Sequence, residues 1–368
     1  MGEERGVHFE ASREEVSKDA DVFYNPEMRL NRDISEVAVK VFSDIKEGEL
    51  RYCDATAGSG IRAFRNAKDV DKLFINDPNP EAQEAIKKGL EKNGLKADVT
   101  EKDANVLLSE KRNFFHVIDI DPFGPFTKFL DSAARASNHS SFAGFTATDN
   151  SAPSGSYPTV CERRYGSKPL KNSFMHETGL RIYLKEVFQN YARFDKSFEP
   201  KICFHQRHYS RISGRVTESK RRTNRRLDNI GYLSFCPECR WRELERKDKC
   251  GFCGNGELKY AGPLWTGKFA DQRFTEKMLE KMPEDWEKSH EFLELLDSEA
   301  SIRTPYYDLH EMASQLDIQS PRRDKVIESL SEKGYMVSRT HFAPTGLRTD
   351  APFEDVREKI RQNSTSNL

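Results

Sequence analysis

Short apolar runs alternate with stretches of helical periodicity from Leu50 to about Arg207. The runs Arg51-Tyr52-Cys53-Asp54, Lys72-Leu73-Phe74-Ile75-Asn76 and Phe114-Phe115-His116-Val117-Ile118-Asp119-Ile120, with residues 98–102 and 141–145, have the length of strands. Residues 61–68, 80–92, 126–136 and 177–191 read as helices. The one over 80–92 has its ends written in: Asn79 can cap it, Pro80 suits the first position and Asn93-Gly94 stops it. The alternation predicts βαβ units around a mostly parallel sheet, an α/β domain over residues 36–212. Ahead of it, residues 1–35 read as an arm that folds over a ligand, because Asp21-Val22-Phe23-Tyr24-Asn25-Pro26-Glu27-Met28 mixes aromatic side chains with turn formers before a helical pattern from Asp33.

The pattern changes after residue 212, and residues 213–360 read as a smaller α+β domain. Two cysteine pairs mark a ribbon over about 232–260. Residues 271–299 carry ten acids against four bases at helical spacing, which predicts an exposed helical connection without a site. Residues 306–316 and 320–333 form two amphipathic patterns, followed by Tyr335-Met336-Val337-Ser338-Arg339 and a turn. This is the outline of a helix-turn-helix with a wing over about 300–350, a module that either meets a nucleic-acid backbone or serves as a packing unit. The polar tail 361–368 is expected to fray.

Composition narrows the class. A chain of 368 residues is long enough for more than one core. Charged residues make up 32%, and no apolar run reaches the roughly 18 residues a membrane helix needs. With acid at Glu3 and Glu4 where an export signal is basic, the expectation is a soluble, cytoplasmic protein without a membrane partner. No obligate protein partner is indicated, and a monomer is expected. The net charge of -1 requires any nucleic-acid contact to be local. Residues 201–226 hold nine Lys and Arg against Glu218 alone, ending in Lys220, Arg221, Arg222, Arg225 and Arg226, a candidate RNA-binding patch or a solvated charged face. Cys236, Cys239, Cys250 and Cys253 stand as Cys-x2-Cys-x10-Cys-x2-Cys. Two such knuckles suit a closed structural Zn²⁺ site, with disulfides as the competing reading. Cys53, Cys161 and Cys203 read as buried thiols.

The candidate chemistry sits at strand ends. Asp121-Pro122-Phe123-Gly124 follows the apolar run 114–120, placing a carboxylate, a rigid proline and an aromatic ring at its carboxyl end. Such a group fits the exocyclic amine of a base drawn out of its helix; a plain turn with Asp121 as a helix cap fits the same residues. Upstream, Asp54 leads into Ala55-Thr56-Ala57-Gly58-Ser59-Gly60, a glycine turn where a cofactor can approach the backbone. Asp77 comes 19 residues after Gly58, the distance at which an acid meets ribose hydroxyls. Asp103, after residues 98–102, is placed to accept from an adenine amino group. The turn lacks the full Gly-x-Gly-x-x-Gly of pyrophosphate sites, and S-adenosylmethionine, which has no phosphate, fits the shorter loop. Ligands in such sheets bind beyond the carboxyl ends of the strands, so Asp54, Asp77, Asp103 and Asp121 are expected on one rim, with residues 146–156 as a loop above it.

The sequence resembles the tRNA guanine-N2 dimethyltransferase family acting on guanine 26, in its archaeal form. The resemblance rests on Val22-Phe23-Tyr24-Asn25-Pro26, Asn31-Arg32-Asp33, the stretch Asp54 to Arg62, Asn76-Asp77, Asp103-Ala104, Asp121-Pro122-Phe123-Gly124, Thr146-Ala147-Thr148-Asp149, the four cysteines and Arg348-Thr349-Asp350-Ala351-Pro352. Pro125-Phe126 and Ser154-Gly155 depart from the family's usual residues. The resemblance implies a Rossmann-like S-adenosylmethionine domain followed by a C-terminal domain peculiar to the family. It places Arg32, Arg62, Asp77, Asp103 and Ala104 at cofactor positions, Phe23 and Phe123 as the pair that sandwiches the guanine, and Asp121 as the catalytic acid. Two other readings of the chain are an adenine-N6 methyltransferase on DNA or RNA and a non-enzymatic zinc-ribbon RNA-binding protein.

Overall fold

The computed structural model describes residues 2–11 and 22–364. A hairpin of β1 (Gly2–Glu4) and β2 (Val7–Phe9) precedes α1 (Arg29–Ile45). Then follow β3 (Arg51–Asp54), α2 (Ile61–Asn66), β4 (Lys72–Asn76), α3 (Pro80–Lys92), β5 (Asp98–Thr100), α4 (Ala104–Glu110), β6 (Phe115–Ile120), α5 (Leu130–Ala136) and β7 (Ser137–Ala147). After α6 (Pro158–Tyr165) and α7 (Met175–Ala192), the strands β8 (Lys196–Gln206) and β9 (Tyr209–Glu218) complete a seven-stranded sheet of order β5-β4-β3-β6-β7-β9-β8. The first five strands in that order are parallel; β9 runs antiparallel to both β7 and β8. The sheet therefore extends past residue 212, where the sequence pattern had ended it.

Both faces are covered, and β6 shows how. Ile118 and Ile120 pack with Leu107, Leu130, Leu184 and Phe188 on one face, while Val117 packs with Val37, Phe42 and Phe64 on the other. A strand buried on both sides reads as a continuous apolar run, which is why residues 114–120 were legible. Asp119 shares the face of Val117, so its carboxylate must find a partner inside the protein.

The remaining chain comprises α8 (Lys220–Arg226), the ribbon strands β10 (Ile230–Phe235), β11 (Arg242–Glu243) and β12 (Lys259–Trp265), then α9 (Gln272–Lys281) and α10 (Glu287–Glu299). The last unit holds β13 (Tyr307–Asp308), α11 (Leu309–Leu316), α12 (Arg323–Ser331), β14 (Val337–Thr340), β15 (Ala343–Thr349) and α13 (Phe353–Ser364). Its sheet has the order β13-β15-β14, as a winged helix requires. Its wing turn is not free: Phe342 stacks on Tyr306, and the His341 ring accepts from the His205 backbone N–H at 3.2 Å. Arg348 of β15 binds Glu177 of α7 at 2.9 Å and Glu299 of α10 at 3.1 Å, and all three side chains are buried. The wing is used as a clamp on the α/β domain.

Three expectations need correction. Residues 271–299 are not an exposed connection: Phe274, Met278, Met282, Trp286, Leu293 and Leu296 are buried in the core that contains Val37 and Phe42. Glu276, Glu280, Glu287, Glu291 and Glu294 occupy the exposed faces of α9 and α10, whereas Glu299 is buried. The tail does not fray from residue 361, because α13 runs to Ser364 over a fully buried Ile360; residues 365–368 lie outside the described residues. The arm is partly regular, with residues 2–9 in a hairpin and α1 starting at Arg29; residues 12–21, including Asp21, also lie outside the described residues. No helix among the described residues is long and apolar enough to cross a membrane.

Candidate active site

A cavity of about 270 Å³ opens at the carboxyl ends of β3 and β6. Phe23, Arg32, Asp54, Gly58, Arg62, Asp121, Pro122 and Phe123 line it, joined by Asn25, Thr148 and His208. The glycine turn makes this possible. Gly58 has φ 53 and its Cα lies so near the arm that a Cβ would meet the Phe23 carbonyl oxygen at 3.1 Å; Gly60, at φ 75, turns the chain into α2. Asp77 and Asp103 stand at the ends of β4 and β5 on the same rim, outside the cavity wall. The Asp77 carboxylate accepts from the Gly58 and Asn79 backbone N–H groups at 2.7 and 3.0 Å, so it shapes the turn. Asp103 is exposed and caps α4 by accepting from the Asn105 N–H at 2.8 Å, with Ala104 buried beside it.

Charge under the cavity is organised in two layers. Arg62 pairs with Asp121 and stands 3.5 Å from Asp119. Arg211, fully buried, donates twice to Asp119 at 3.0 and 2.6 Å and once to Thr146 at 3.1 Å. Gly144 leaves the room for that guanidinium, since a Cβ there would lie 2.1 Å from Arg211 Nη2. Asp54 is buried with Oδ2 lacking any hydrogen-bond partner among the described residues. Burial, with the nearby Asp119 carboxylate, pushes its carboxyl up to about 8. Arg32 donates to Glu4 at 2.8 and 2.6 Å and to the Asn25 carbonyl at 3.1 Å. Burial alone would raise Glu4, yet Arg32 and Arg65 outweigh it and hold that carboxyl at about 2.

The two rings singled out from the sequence touch. Phe23 and Phe123 have centroids 4.4 Å apart with planes at 73°, and Phe123 is half exposed. A base lying between them in van der Waals contact needs about 7 Å between ring planes. The pair must part to admit one. Gly124 N–H donates to Thr148 Oγ1 at 3.0 Å, tying the Asp121 turn to the loop after β7. That loop begins at residue 148; Thr146 and Ala147 are still buried in the strand.

Glu4, Asp119 and Arg211 were not singled out from the sequence. Asp119 carried one signal, a carboxylate inside an apolar run two positions before Asp121. Arg211 and Glu4 carried none, because their partners are 92 and 28 residues away.

The four ribbon cysteines converge, with all Sγ atoms within 4.8 Å of one another. Cys236 and Cys253 lie 3.6 Å apart, Cys239 and Cys250 3.5 Å. Zn–S bonds of about 2.3 Å in a tetrahedron put sulfurs about 3.8 Å apart, so the set fits zinc. The Phe252 and Cys253 N–H groups donate to Cys250 Sγ at 3.4 Å, the support a thiolate needs. No disulfide is formed among the described residues, the paired ribbon Sγ atoms standing 3.6 and 3.5 Å apart, and Cys53, Cys161 and Cys203 are buried.

The basic segment is dispersed. Arg211 is spent on Asp119, Lys201 on Glu199 and Asp271, Arg226 on Glu199, and Arg207 on Glu27. Lys220 lies 3.7 Å from Asp195. Arg221, Arg222 and Arg225 are exposed on α8 and make no ion pair among the described residues. The register places α8 at the far edge of the sheet: β9 leaves the cavity rim at Ser210, opposite Ala147, and reaches Thr217 opposite Ser140 before α8 begins.

A sequence profile described as N2,N2-dimethylguanosine tRNA methyltransferase matches residues 2–361. The chain is 38% identical to the tRNA (guanine(26)-N(2))-dimethyltransferase of Methanobrevibacter smithii over 368 aligned residues, covering 96% of this chain and 95% of that protein. It is 38% identical to the enzyme of the same description from Methanothermobacter thermautotrophicus, covering 94% of each. Among solved structures it is similar to Trm1 from Pyrococcus horikoshii in complex with S-adenosyl-L-methionine, with a TM-score of 0.84, 30% identity, and coverage of 94% of this chain and 96% of that one.

Proposed function

The chain belongs to the N2,N2-dimethylguanosine tRNA methyltransferase family, and from that premise we propose how its cavity works. The protein transfers methyl groups from S-adenosylmethionine to the exocyclic N2 of guanine 26 in tRNA. The observation that carries the reading is the placing of Asp121, Pro122 and Phe123 at the lip of a cavity whose wall holds Asp54, Gly58 and Arg62. When bound, S-adenosylmethionine supplies an electrophilic methyl group on a sulfonium.

The residues present fit that cofactor. The unpartnered Asp54 oxygen suits an ammonium group, and the Arg32 and Arg62 guanidinium groups suit a carboxylate. Gly58 and Gly60 leave the turn open to close approach, and Asp77, Asp103 and Ala104 continue the rim on the side suited to a nucleoside. Guanine N2 is a poor nucleophile because its lone pair is delocalised into the ring. Asp121 and the Pro122 carbonyl accept its two hydrogens and favour pyramidalisation, Phe23 and Phe123 hold the ring from either side, and Asp121 takes the proton. Positioning supplies most of the acceleration, and proton acceptance adds roughly 10²–10⁴-fold. Once one methyl is attached, a single N–H remains to be held, so Asp121 and Pro122 cannot both be occupied in the second transfer.

The test is nucleoside mass spectrometry of unmodified tRNA incubated with the protein and cofactor. N2-methylated and N2,N2-dimethylated guanosine at position 26 are expected. Asp121→Ala should cut turnover at least about 10²-fold while cofactor affinity measured by calorimetry stays within a few-fold. Methyl groups on adenine N6, or equal loss of turnover and cofactor binding, would refute the assignment. An adenine-N6 enzyme has no support in the family relationship, and a non-enzymatic RNA-binding protein would leave the buried, unpartnered Asp54 in the cavity wall unexplained.

A further inference from the structure

A base that enters the cavity fixes where its own backbone must run. The nucleotide is extruded from its helix, so the phosphates on either side of it are held at the cavity mouth, one or two nucleotides away. The cations that count most are those on the rim, and the segment that leaves the rim there is the one after β7. Thr148 lines the cavity, and Asp149 next to it accepts from the Tyr165 hydroxyl at 2.5 Å and from Arg164 at 3.3 Å, binding the end of α6 to the mouth. Further on, the chain doubles back: a Cβ on Gly155 would lie 2.9 Å from the Lys171 backbone nitrogen, and Ser173 donates to Glu311 of α11 at 2.5 Å. Residues 157–171 thus lead from the cavity toward the C-terminal unit, with Cys161, Tyr165, Ser167, Pro169 and Leu170 buried and Lys168 paired through its backbone with Gly262 of β12, while the residues between them face outward.

That surface has the chemistry of a nucleic-acid track. It contains Arg163, Arg164, Lys168 and Lys171 against Glu162 alone, four positive charges minus one, a net of +3 in fifteen residues. Arg163, Lys168 and Lys171 are exposed and make no ion pair among the described residues, whereas five of the nine cations of residues 201–226 are paired with acids of the protein. Tyr157, at the start of α6, is 61% exposed, an aromatic face of the kind on which unpaired bases stack. The free cations of α8 lie seven strand residues from the rim, roughly 24 Å at about 3.4 Å per residue.

We infer that the tRNA backbone flanking the target nucleotide lies on residues 157–171, held by Arg163, Lys168 and Lys171 with Tyr157 as a stacking platform, and that α8 is not the principal RNA contact. The inference rests on the reading that a tRNA base enters the cavity. Two full-length triple variants of equal charge change test it: Arg163→Gln, Lys168→Gln, Lys171→Gln on the rim, and Arg221→Gln, Arg222→Gln, Arg225→Gln on α8. Affinity for an unmodified tRNA transcript is measured by filter binding from low to moderate salt, with cofactor calorimetry and melting as folding controls.

Loss of three phosphate contacts lowers the slope of log affinity against log salt by about 2–2.7. That fall, with at least about tenfold weaker binding in the lower salt range, is expected for the rim triple with cofactor binding intact, and a slope change below about one for the α8 triple. A rim triple that binds like the parent, or an α8 triple that loses as much or more, overturns the inference. Tyr157→Ala, which removes no charge, should weaken binding without moving the slope. Binding needs no turnover, so a parent protein that failed to methylate guanine N2 would count against the proposed function while the two slopes still decided the surface.

Discussion

At the scale of single residues the site is governed by buried charge. Asp54 is held up to about 8 by burial and by Asp119, so near pH 7 it carries a proton in the free protein. A cationic ligand group brought against it favours the carboxylate and drives that proton off. Cofactor affinity should therefore rise with pH up to about 8 and level off above. Calorimetry near pH 7 in buffers of different ionisation enthalpy should show close to one proton released on binding, and Asp54→Asn should abolish both effects; a release unchanged in that variant would place the linkage elsewhere. The stability effect follows from the same shift. The folded chain keeps a proton that the unfolded chain gives up above about pH 4, so this group's contribution is full below that pH and is lost as pH rises toward 8. Gly144 offers a second test, because its missing Cβ is the space the Arg211 guanidinium fills. Gly144→Ala should displace Arg211 from Asp119, costing about 3–5 kcal/mol as a buried pair loses a partner, and should depress turnover through Arg62 and Asp121. Thermal melting with single-turnover kinetics would check both. Of these residues, Asp54, Gly58, Asp121 and Phe123 were legible in the sequence because strand, turn and acid are adjacent in the chain. The Arg211–Asp119 pair was not, since only the fold brings strands β6 and β9 to one place.

At the scale of elements, the chain's local patterns located β3, β4, β6, α3 and α7, gave no sign of β8 and β9, and misjudged what surrounds α9 and α10. The strand ends carrying the four acids, and the Asn79 and Asn93-Gly94 signals around α3, follow from short-range chemistry that sequence exposes. Helices α9 and α10 were read as exposed because their acid count dominates, although the apolar positions at helical spacing are what seat them against α1. The hairpin β1–β2 had too few residues to show a period, and its role depends on one side chain. Glu4, 4% exposed, takes hydrogen bonds from Arg32 at 2.6 Å and Arg65 at 2.5 Å and fastens the hairpin over α1 and α2. Glu299, likewise held at about 2, fastens α10 to the wing turn: burial opposes its charge, and His341 and Arg348 more than offset that. Both carboxyls sit below their unfolded value of about 4.3. Each contributes stability above that pH that is lost as pH falls toward 2. Acid unfolding followed by circular dichroism should therefore steepen between about pH 4.5 and 2, and Glu4→Gln or Glu299→Gln should each flatten part of it while lowering stability at neutral pH. A Glu4→Gln protein should also bind cofactor differently, because Arg32 loses its carboxylate partner at the cavity wall. An unchanged acid limb in both variants would show that these clamps do not carry the linkage.

For the whole molecule, the question is whether the ribbon and wing form an appendage or part of the enzyme's frame. Ribbon strands β10 and β12 send Leu233, Phe235, Leu264 and Trp265 into the core beneath the catalytic sheet, while Cys236, Cys239 and Cys250 pack with Leu309, Met312, Val326 and Ile360 in the core of the winged unit. The four-thiolate cluster thus sits between two cores, and Arg348 closes the other side by joining β15 to α7 through Glu177. Separate domains with a slight interface melt separately; an interlocked pair melts as one. The expected behaviour of the zinc-loaded protein is a single calorimetric transition with one zinc per chain by elemental analysis. Cys250→Ser with Cys253→Ser removes two of the four ligands and should lower that transition without splitting off an intact ribbon, because the ribbon strands are load shared with the catalytic core. Arg348→Ala should act differently, leaving Glu177 buried without one of its two arginines, a cost of about 3–5 kcal/mol, and freeing the wing to move relative to the cavity. Its signature is a lower melting temperature together with a rise in KM for tRNA that exceeds any change in cofactor affinity, since the cavity wall lies apart from the clamp while the track over residues 157–171 runs up to α11. If Arg348→Ala instead weakened cofactor and tRNA equally, the clamp would be supporting the catalytic sheet alone, and the two cores could not be said to act as one frame for the RNA.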